Sequence, residues 1–264
     1  MARKPTRSKK KTRARNRSRP GSKRPRRSFA RRILRLMVIV AVLGVLAPGL
    51  PIAALRLVSP PTTAFMLHSR ADDPATGRAC SRVEYRWVSW PDISPVVPRA
   101  ILVAEDQRFF EHRGFDTKAI EAALEEFAAG GRMRGASTLS QQVAKNLFLW
   151  PGRSVVRKTL EVWLTAWIEA LWSKRRIVEV YANVAQFGPC VFGVEAASRR
   201  FFGVPASRVS PNQAALLAAV LPSPGRMRVD DPGPFTQERA REILEEMNRG
   251  GGPAYLEGLS LSGH

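Results

Sequence analysis

Hydrophobic and polar positions divide this chain into a polar start, one long apolar run and a mostly helical remainder. Residues 1–32 contain 16 basic and no acidic residues, a composition typical of disorder. From Leu36 to Leu55 there are 20 residues without a charge, enough for a helix to cross about 30 Å of hydrocarbon. The pattern predicts a disordered basic tail at 1–32 and a transmembrane anchor at 33–58.

A cleaved signal peptide is the alternative interpretation of the apolar run. Pro48, Gly49 and Pro51 lower the helix propensity of its last third, and residues 52–54 resemble a signal-peptide cleavage site. The run is longer than the usual apolar core of a signal peptide, which favours an uncleaved anchor. The basic tail then predicts a cytoplasmic N-terminus, with the chain beyond residue 60 on the far side of the membrane.

Beyond the anchor the pattern predicts one globular domain. Residues 59–84 are rich in proline and polar groups and are expected to form a linker. The alternation in VEYRWVSW (83–90) predicts one short strand. The domain is predicted to span 85–250, and 251–264 to form a C-terminal tail.

Helical periodicity predicts most of that domain. The first helix places Ile101, Glu105 and Phe109 on one stripe. We expect helices that start near Ser94, run from about Arg157 to Asn183, span 210–221 and span 237–248.

Charge and cysteine content narrow the function classes. A net charge of +21 suggests nucleic-acid binding, but the tail accounts for 16 of these charges, so we predict no nucleic-acid partner. Cys80 and Cys190 are 110 positions apart in sequence; their spatial separation is not given by the sequence, and we expect two separate thiols. The three histidines lack metal-ligand spacing, so we predict no metal site.

Glu105 is the first candidate for catalysis. A carboxylate on an apolar stripe is partly desolvated, which raises its pKa towards the range in which a general base is effective. Taken alone, it is also explained as a paired glutamate at a helix end.

A basic cluster about forty residues later supplies a second kind of chemistry. Lys145, Arg153, Arg157 and Lys158 lie among amide side chains and beside the apolar segment 147–150. Cations at this density bind phosphate oxygens, and the apolar neighbours suit a lipid that carries a pyrophosphate. A solvated basic face beside core aromatics remains the alternative. A nucleotide-sugar donor is less suitable, because the chain lacks a D-x-D pattern.

Glu161 is a second carboxylate at helical spacing from this cluster. It lies four and three positions after Arg157 and Lys158, so a simple ion pair on the helix surface explains it. The functional alternative is a carboxylate that organises the two cations.

Six segments together resemble one known family. They are AEDQRFFEHRGFD (104–116), GASTLSQQVAKN (135–146), RKTLE (157–161), SKRRIVEVYAN (173–183), FGVEAASRRFFG (192–203) and AALLAAVLPSP (214–224). In content and order they are similar to the motifs of the peptidoglycan glycosyltransferase family. YRWVSWPDISP, NLFLWPGRS and FGPCVFGVEAA resemble its monofunctional members rather than the bifunctional class A penicillin-binding proteins, and the KTG motif of a transpeptidase is absent.

The resemblance implies a mostly α, lysozyme-like fold, with a large lobe and a small membrane-apposed jaw behind one N-terminal transmembrane helix. It implies polymerisation of lipid II, a disaccharide-peptide on undecaprenyl pyrophosphate, into β-1,4-linked glycan with inversion. The implied partners are lipid II, the growing glycan chain, the bacterial inner membrane and proteins of cell division or elongation. No obligatory cofactor is implied, although Mg²⁺ or Mn²⁺ at the pyrophosphate is compatible with it.

The same resemblance assigns roles to residues. Glu105 is the implied base towards the acceptor 4-hydroxyl, Asp106 supports its geometry, and Glu161 is the second catalytic carboxylate. Phe109, His112, Gly114 and Asp116 are expected to shape the fold. The implied substrate-binding residues are Ser137, Gln141, Gln142, Lys145, Asn146, Arg153, Arg157 and Lys158.

Three positions depart from the family pattern. Gln213 stands where a glutamate is usual, and Ala182 and Cys190 are less usual choices that we interpret as local packing variation. Two other functions stay open at this point. A lysozyme-like lytic hydrolase would also use one glutamate but would not need a basic cluster. A membrane-anchored protein that binds an anionic glycan or nucleic acid would need no catalytic glutamate.

Overall fold

The computed structural model describes residue 1 and residues 27–131, 137–152 and 154–250. Most of the predicted basic tail, the C-terminal tail at 251–264 and the candidate Arg153 lie outside the described residues. Two compact units are present, one up to Val45 and one from Leu46 onwards.

The N-terminal unit contains helix α1 (Arg27–Leu46). Within Arg31–Leu55 the chain is apolar enough to cross a membrane, by length and composition. The apolar run is not one continuous helix, because α1 ends before Pro48 and a short helix α2 (Gly49–Leu55) follows. Ile52 of α2 is fully buried, and its carbonyl accepts a hydrogen bond from Trp172 Nε1 at 2.7 Å. The last turns of the run therefore pack on the globular unit.

The globular unit is mostly helical, as predicted. Its remaining helices are α3 (Ala64–Ser69), α4 (Val96–Glu105), α5 (Thr117–Ala128), α6 (Leu139–Phe148), α7 (Val155–Leu171), α8 (Lys174–Val184), α9 (Val194–Phe202), α10 (Pro211–Val220) and α11 (Pro234–Gly250). Helices α4, α6, α8 and α10 carry fully buried side chains on their inner faces and enclose the core. The predicted bounds of the linker, 59–84, stay a prediction. This segment contains helix α3.

A small sheet closes one side of the core. It contains β1 (Glu84–Tyr85), β2 (Gln186–Gly188) and β3 (Val191–Phe192), in the order β1-β3-β2. β1 runs parallel to β3, and β2 runs antiparallel to it. The predicted strand at 83–90 is thus only two residues long.

Two helix predictions were wrong in their extent. The predicted helix from Arg157 to Asn183 is broken at Trp172, because the extended Ser173 caps a new helix by accepting from Arg176 N–H at 3.2 Å. α4 ends at Glu105, so Phe109 does not continue its stripe. Phe109 instead lies fully buried in the following turn, 4.2 Å below the ammonium group of Lys174.

The prediction of two free thiols was wrong: Cys80 and Cys190 form a disulfide with Cα atoms 5.8 Å apart. Parallel pairing of β1 with β3 brings the two segments together, since Glu84 N–H donates to the Cys190 carbonyl at 2.8 Å. The interpretation of Cys190 as packing variation is corrected by the same bond. Gln213 completes a capping box, with its Oε1 accepting from Ser210 N–H at 2.9 Å, so an amide replaces the usual carboxylate without losing the cap.

Loss of the disulfide is expected to lower the free energy of unfolding by about 2–5 kcal/mol, because the bond closes a long loop in the unfolded chain. The measurement is urea denaturation of the wild type with and without reductant. The Cys80→Ser/Cys190→Ser variant is the control, and reductant should leave its midpoint unchanged. Equal stability of the oxidised and reduced wild type would contradict this expectation.

Candidate functional site

An open cleft of about 890 Å³ collects most of the predicted site residues. It lies where the C-terminal end of α4 meets α6, the first turns of α7 and the loop after α10. The predicted residues that line it are Glu105, Ser137, Gln141, Gln142, Lys145, Arg157, Lys158 and Glu161. Segments more than fifty positions apart in sequence therefore form one surface.

Glu105 is the last residue of α4, and only 11% of its side chain is exposed. Its Oε2 accepts a hydrogen bond from Gln142 Nε2 at 2.7 Å, and its Oε1 lies 3.9 Å from a guanidinium nitrogen of Arg239. Burial raises the pKa of Glu105 above its ordinary value, and the Gln142 hydrogen bond and the Arg239 charge oppose this rise in part. A buried carboxylate with a raised pKa and an open side towards a cleft has the properties of a general base.

Gln142 is oriented by a second hydrogen bond. Tyr181 on α8 is almost fully buried, and its hydroxyl donates to Gln142 Oε1 at 3.1 Å. Burial raises the pKa of Tyr181 well above its ordinary value, with a further contribution from the charge of Glu105. The hydroxyl therefore stays protonated, and the amide group of Gln142 points to Glu105.

Asp106 connects the end of α4 to the start of α6. Its carboxylate accepts from Leu139 N–H at 2.9 Å and lies 2.9 Å from His112 Nε2. Thr138, the N-cap of α6, donates its hydroxyl hydrogen to the Gly114 carbonyl. Asp106 thus fixes the position of α6 relative to Glu105 and supports the geometry of the site.

Glu161 is buried on α7 between two cations. Its two carboxylate oxygens contact Arg157 Nη1, at 2.9 Å, and Lys158 Nζ. Lys158 Nζ also lies 3.4 Å from the Ser137 hydroxyl across the cleft. The side chains of Glu161 and Arg157 are only 4% and 11% exposed, so this pair is buried and is not the surface ion pair that spacing alone suggested. Lys158 is 46% exposed and reaches Glu161 from the surface. Glu161 organises both cations.

Lys145 lies on α6 one turn after Gln142. Its ammonium group is 5.6 Å from the ring centre of Phe65, and within the described chain no carboxylate is within ion-pair distance of it. Burial lowers the pKa of Lys145, and the neighbouring charge of Glu161 opposes this. A poorly solvated cation without a direct counter-ion attracts an anionic ligand strongly.

The remaining predicted residues have different positions. Gln141 is committed to the capping box of α6, where its Oε1 accepts from Thr138 N–H at 2.9 Å. Asn146 does not line the main cleft but a pocket beside it. Arg153 lies outside the described residues.

The sequence analysis missed Arg239 and the orienting role of Tyr181. Arg239 is on α11, and its Nη2 also donates to the Ala104 carbonyl at 3.2 Å. No local signal marks it, because α11 is a charged amphipathic helix with several arginines. Tyr181 belongs to the segment SKRRIVEVYAN (173–183). The resemblance of that segment to a family motif was the available signal.

Asp106, His112 and Asp116 lie close enough together to suggest metal ligands. Both carboxylates and His112 Nε2 are already engaged, however, since Asp106 binds Leu139 and His112, and Asp116 caps α5 and pairs with Arg108 at 3.1 Å. Of this group, His112 Nδ1 is the atom without a partner among the described residues. With both carboxylates committed to protein partners, these residues do not fit a resident metal ion. That no cofactor is obligatory, and that Mg²⁺ or Mn²⁺ at the pyrophosphate is compatible, stays a prediction.

Comparisons with known proteins show the family of this chain. Residues 74–248 match the transglycosylase family. A biosynthetic peptidoglycan transglycosylase of Xanthomonas campestris pv. campestris (strain B100) is 46% identical over 233 residues, which are 88% of this chain and 94% of that protein. A protein of the same name from Xylella fastidiosa (strain M23) is 46% identical over 223 residues, 84% of this chain and 92% of its own length.

Proposed function

This chain belongs to the transglycosylase family, and from that membership we propose that it polymerises lipid II into β-1,4-linked glycan strands with inversion at the donor anomeric carbon. The observation that carries the proposal is one cleft that holds both the buried Glu105 and a cation network organised by the buried Glu161. Proton removal from an acceptor and stabilisation of a departing pyrophosphate need this combination.

Glu105 acts as the base in this proposal. As the acceptor 4-hydroxyl oxygen attacks the donor anomeric carbon, its proton passes to the Glu105 carboxylate. The bond from the anomeric carbon to the pyrophosphate oxygen breaks, and undecaprenyl pyrophosphate leaves with the electron pair. The hydrogen bond from Gln142 holds the carboxylate in place during this step.

Lys145, Arg157 and Lys158 bind the pyrophosphate. Negative charge on its oxygens grows as the bond breaks, and cations that are already positioned stabilise that charge without reorganisation. Glu161 keeps Arg157 and Lys158 in place. Asp106 contributes by positioning α6, which carries Gln142 and Lys145.

The lytic hydrolase is the less suitable alternative. It would use one glutamate as an acid but would leave the cation network without a role. The binding protein is less suitable too, because it would give the buried carboxylate of Glu105, which lines the same cleft as the cations, no chemical role.

We further propose that the N-terminal segment anchors the enzyme in the bacterial inner membrane, with the catalytic domain on the periplasmic side and the tail in the cytoplasm. The basic tail supports this orientation, and so does the disulfide, which is stable in an oxidising compartment. Ile120, Leu124 and Phe127 on α5 form an exposed apolar stripe, which supports the prediction of a membrane-apposed jaw.

Incubation of the purified full-length chain with labelled lipid II tests the function directly. We expect glycan polymer that a muramidase degrades. Degradation of preformed glycan by the protein would establish the hydrolase instead, and neither product would favour the binding protein.

The pH range over which kcat/KM is high is expected to be narrower than the range between the ordinary pKa values of a glutamate and a lysine. Activity should fall as the pH drops through the pKa of Glu105, which is raised above 4.5, because the base becomes protonated. It should fall again as the pH rises through the pKa of Lys145, which is lowered from 10.5, because the cation is lost. Initial rates of polymerisation across this range measure both limbs. In Lys145→Arg the alkaline limb should move to higher pH, and an unmoved limb would contradict the assignment to Lys145.

A further inference from the structure

A second cavity of about 300 Å³ adjoins the main cleft and has no role in the proposed mechanism. It lies between α6, the start of β2 and the loop that follows α10. Gln142 and Lys145 line both spaces, so a substrate in the cleft has direct access to the cavity.

The lining of this side pocket selects for negative charge. It contains the cations Lys145 and Arg226 and no aspartate or glutamate. Arg226 is exposed and has no carboxylate within ion-pair distance in the described chain. The net positive charge of this lining attracts an anion.

Asn146 is the most informative residue of the side pocket. It is only 7% exposed, yet its side chain makes no hydrogen bond to the described part of the chain. The other two amides of the lining are engaged, since Gln142 binds Glu105 and Tyr181, and Gln186 donates to Asp73 at 2.6 Å. The enclosed side-chain atoms that lack a partner in the described chain are on Arg99, His112, Arg157 and Arg239 and not on Asn146. The Asn146 amide is therefore open to the pocket, where it can hydrogen-bond to a ligand.

The walls of the side pocket are held in place before any ligand binds. Pro74 and Ala75 form one wall, next to the fully buried carboxylate of Asp73. That carboxylate also accepts from Cys190 N–H at 3.1 Å, and Cys190 is fixed by its disulfide. Gly225 also lines the pocket and lies so close to the Ala75 carbonyl that a β-carbon would overlap it. The pocket is therefore preorganised.

We propose that the side pocket binds a carboxylate of the peptide that the lipid-linked disaccharide carries. This inference rests on the proposed function. The pyrophosphate belongs in the main cleft, where Arg157 and Lys158 line the wall, whereas the side pocket offers one guanidinium at its mouth and one open amide inside. Proline and aromatic side chains (Phe65, Phe192, Pro222) complete its walls. Its volume suits one amino-acid residue rather than a disaccharide.

The test compares two substrates and two matched variants. The substrates are lipid II with its native peptide and lipid II with the peptide carboxylates amidated. Arg226→Gln removes the cation at the mouth. Arg228→Gln is the control, because Arg228 pairs with Asp230 at 2.7 Å and does not line the pocket. KM and kcat of polymerisation are measured for each combination.

We expect Arg226→Gln to raise KM for native lipid II about tenfold with little change in kcat, the size of one charge-assisted hydrogen bond. Amidation of the peptide carboxylates should raise KM of the wild type by a similar factor. With the amidated substrate, Arg226→Gln should have the same KM as the wild type. Arg228→Gln should match the wild type throughout.

Three results would overturn the proposal. Equal KM of the wild type for both substrates would show that no peptide carboxylate is recognised. A rise for Arg226→Gln that is the same with both substrates would show that the anion is a phosphate of the lipid. Equal KM of Arg226→Gln and the wild type for native lipid II would show that Arg226 does not bind the substrate. Failure of the wild type to polymerise either substrate is a distinct result, which overturns the proposed function and this inference with it.

Discussion

Glu105→Gln is expected to lower the rate of lipid II polymerisation by about 100- to 10,000-fold, the usual contribution of a general base. The substitution preserves the size of the side chain and an oxygen that can accept the Gln142 hydrogen bond, but the amide does not take up a proton. Binding of a non-reactive donor analogue should therefore survive while turnover is lost. Steady-state polymerisation and analogue affinity, measured on the same preparation, separate the two effects.

Glu111→Gln is the matched control for this experiment. It makes the same chemical change six positions later, on a side chain that is 61% exposed and pairs with Arg108. Its rate should equal that of the wild type. Retention of more than about a tenth of the wild-type rate by Glu105→Gln, a difference of only about 1.4 kcal/mol in the activation barrier, would show that Glu105 is not the base.

Lys145→Met is expected to lower kcat/KM by about 100- to 1,000-fold, comparable to the loss of one preorganised group that stabilises developing charge. Unlike the loss of the base, it should also weaken the affinity for a donor analogue, because the ammonium group meets the pyrophosphate before and during bond cleavage. Calorimetric titration of the analogue and initial polymerisation rates measure the two losses.

The stability of Lys145→Met should distinguish a functional cation from a structural one. Burial lowers the pKa of Lys145, which means that the folded protein disfavours this charge. The variant should therefore unfold at the same temperature as the wild type or higher. Lys118→Met, on the exposed side of α5, is the control and should change neither activity nor stability. A marked fall in the melting temperature of Lys145→Met, together with unchanged analogue affinity, would contradict the assignment.

Local signals predicted the helices well and their ends less well. Ser210 and Pro211 marked the start of α10 correctly, because an N-cap acts on its own first turn. The break between α7 and α8 was missed, since Ser173 lies in a run whose apolar periodicity continues on both sides. Trp172 at this break also makes a distant contact that no local pattern predicts, since it is buried and its Nε1 donates to the Ile52 carbonyl.

In the site, too, local motifs indicated some residues, whereas residues placed by tertiary contacts were missed. Motif resemblance pointed to Glu105, Lys145 and Glu161, which the structure places in one cleft. It did not point to Arg239, whose position depends on how α11 packs beside α4. The disulfide was missed for a similar reason, because the pairing of β1 with β3 is a tertiary contact over about a hundred residues. Sequence spacing carries no information about such distances.

The hydrogen bonds that run from Tyr181 through Gln142 to Glu105 have a fixed direction. A hydroxyl that donates to Gln142 Oε1 leaves Nε2 to donate to Glu105 Oε2, so Oε2 has to remain an acceptor in every turnover. In the proposed mechanism, a proton taken from the substrate therefore resides on Oε1, the oxygen nearer to Arg239. The proposed mechanism thus gives the two oxygens of this carboxylate different tasks: Oε2 holds the side chain in place through Gln142, and Oε1 takes the proton from the acceptor.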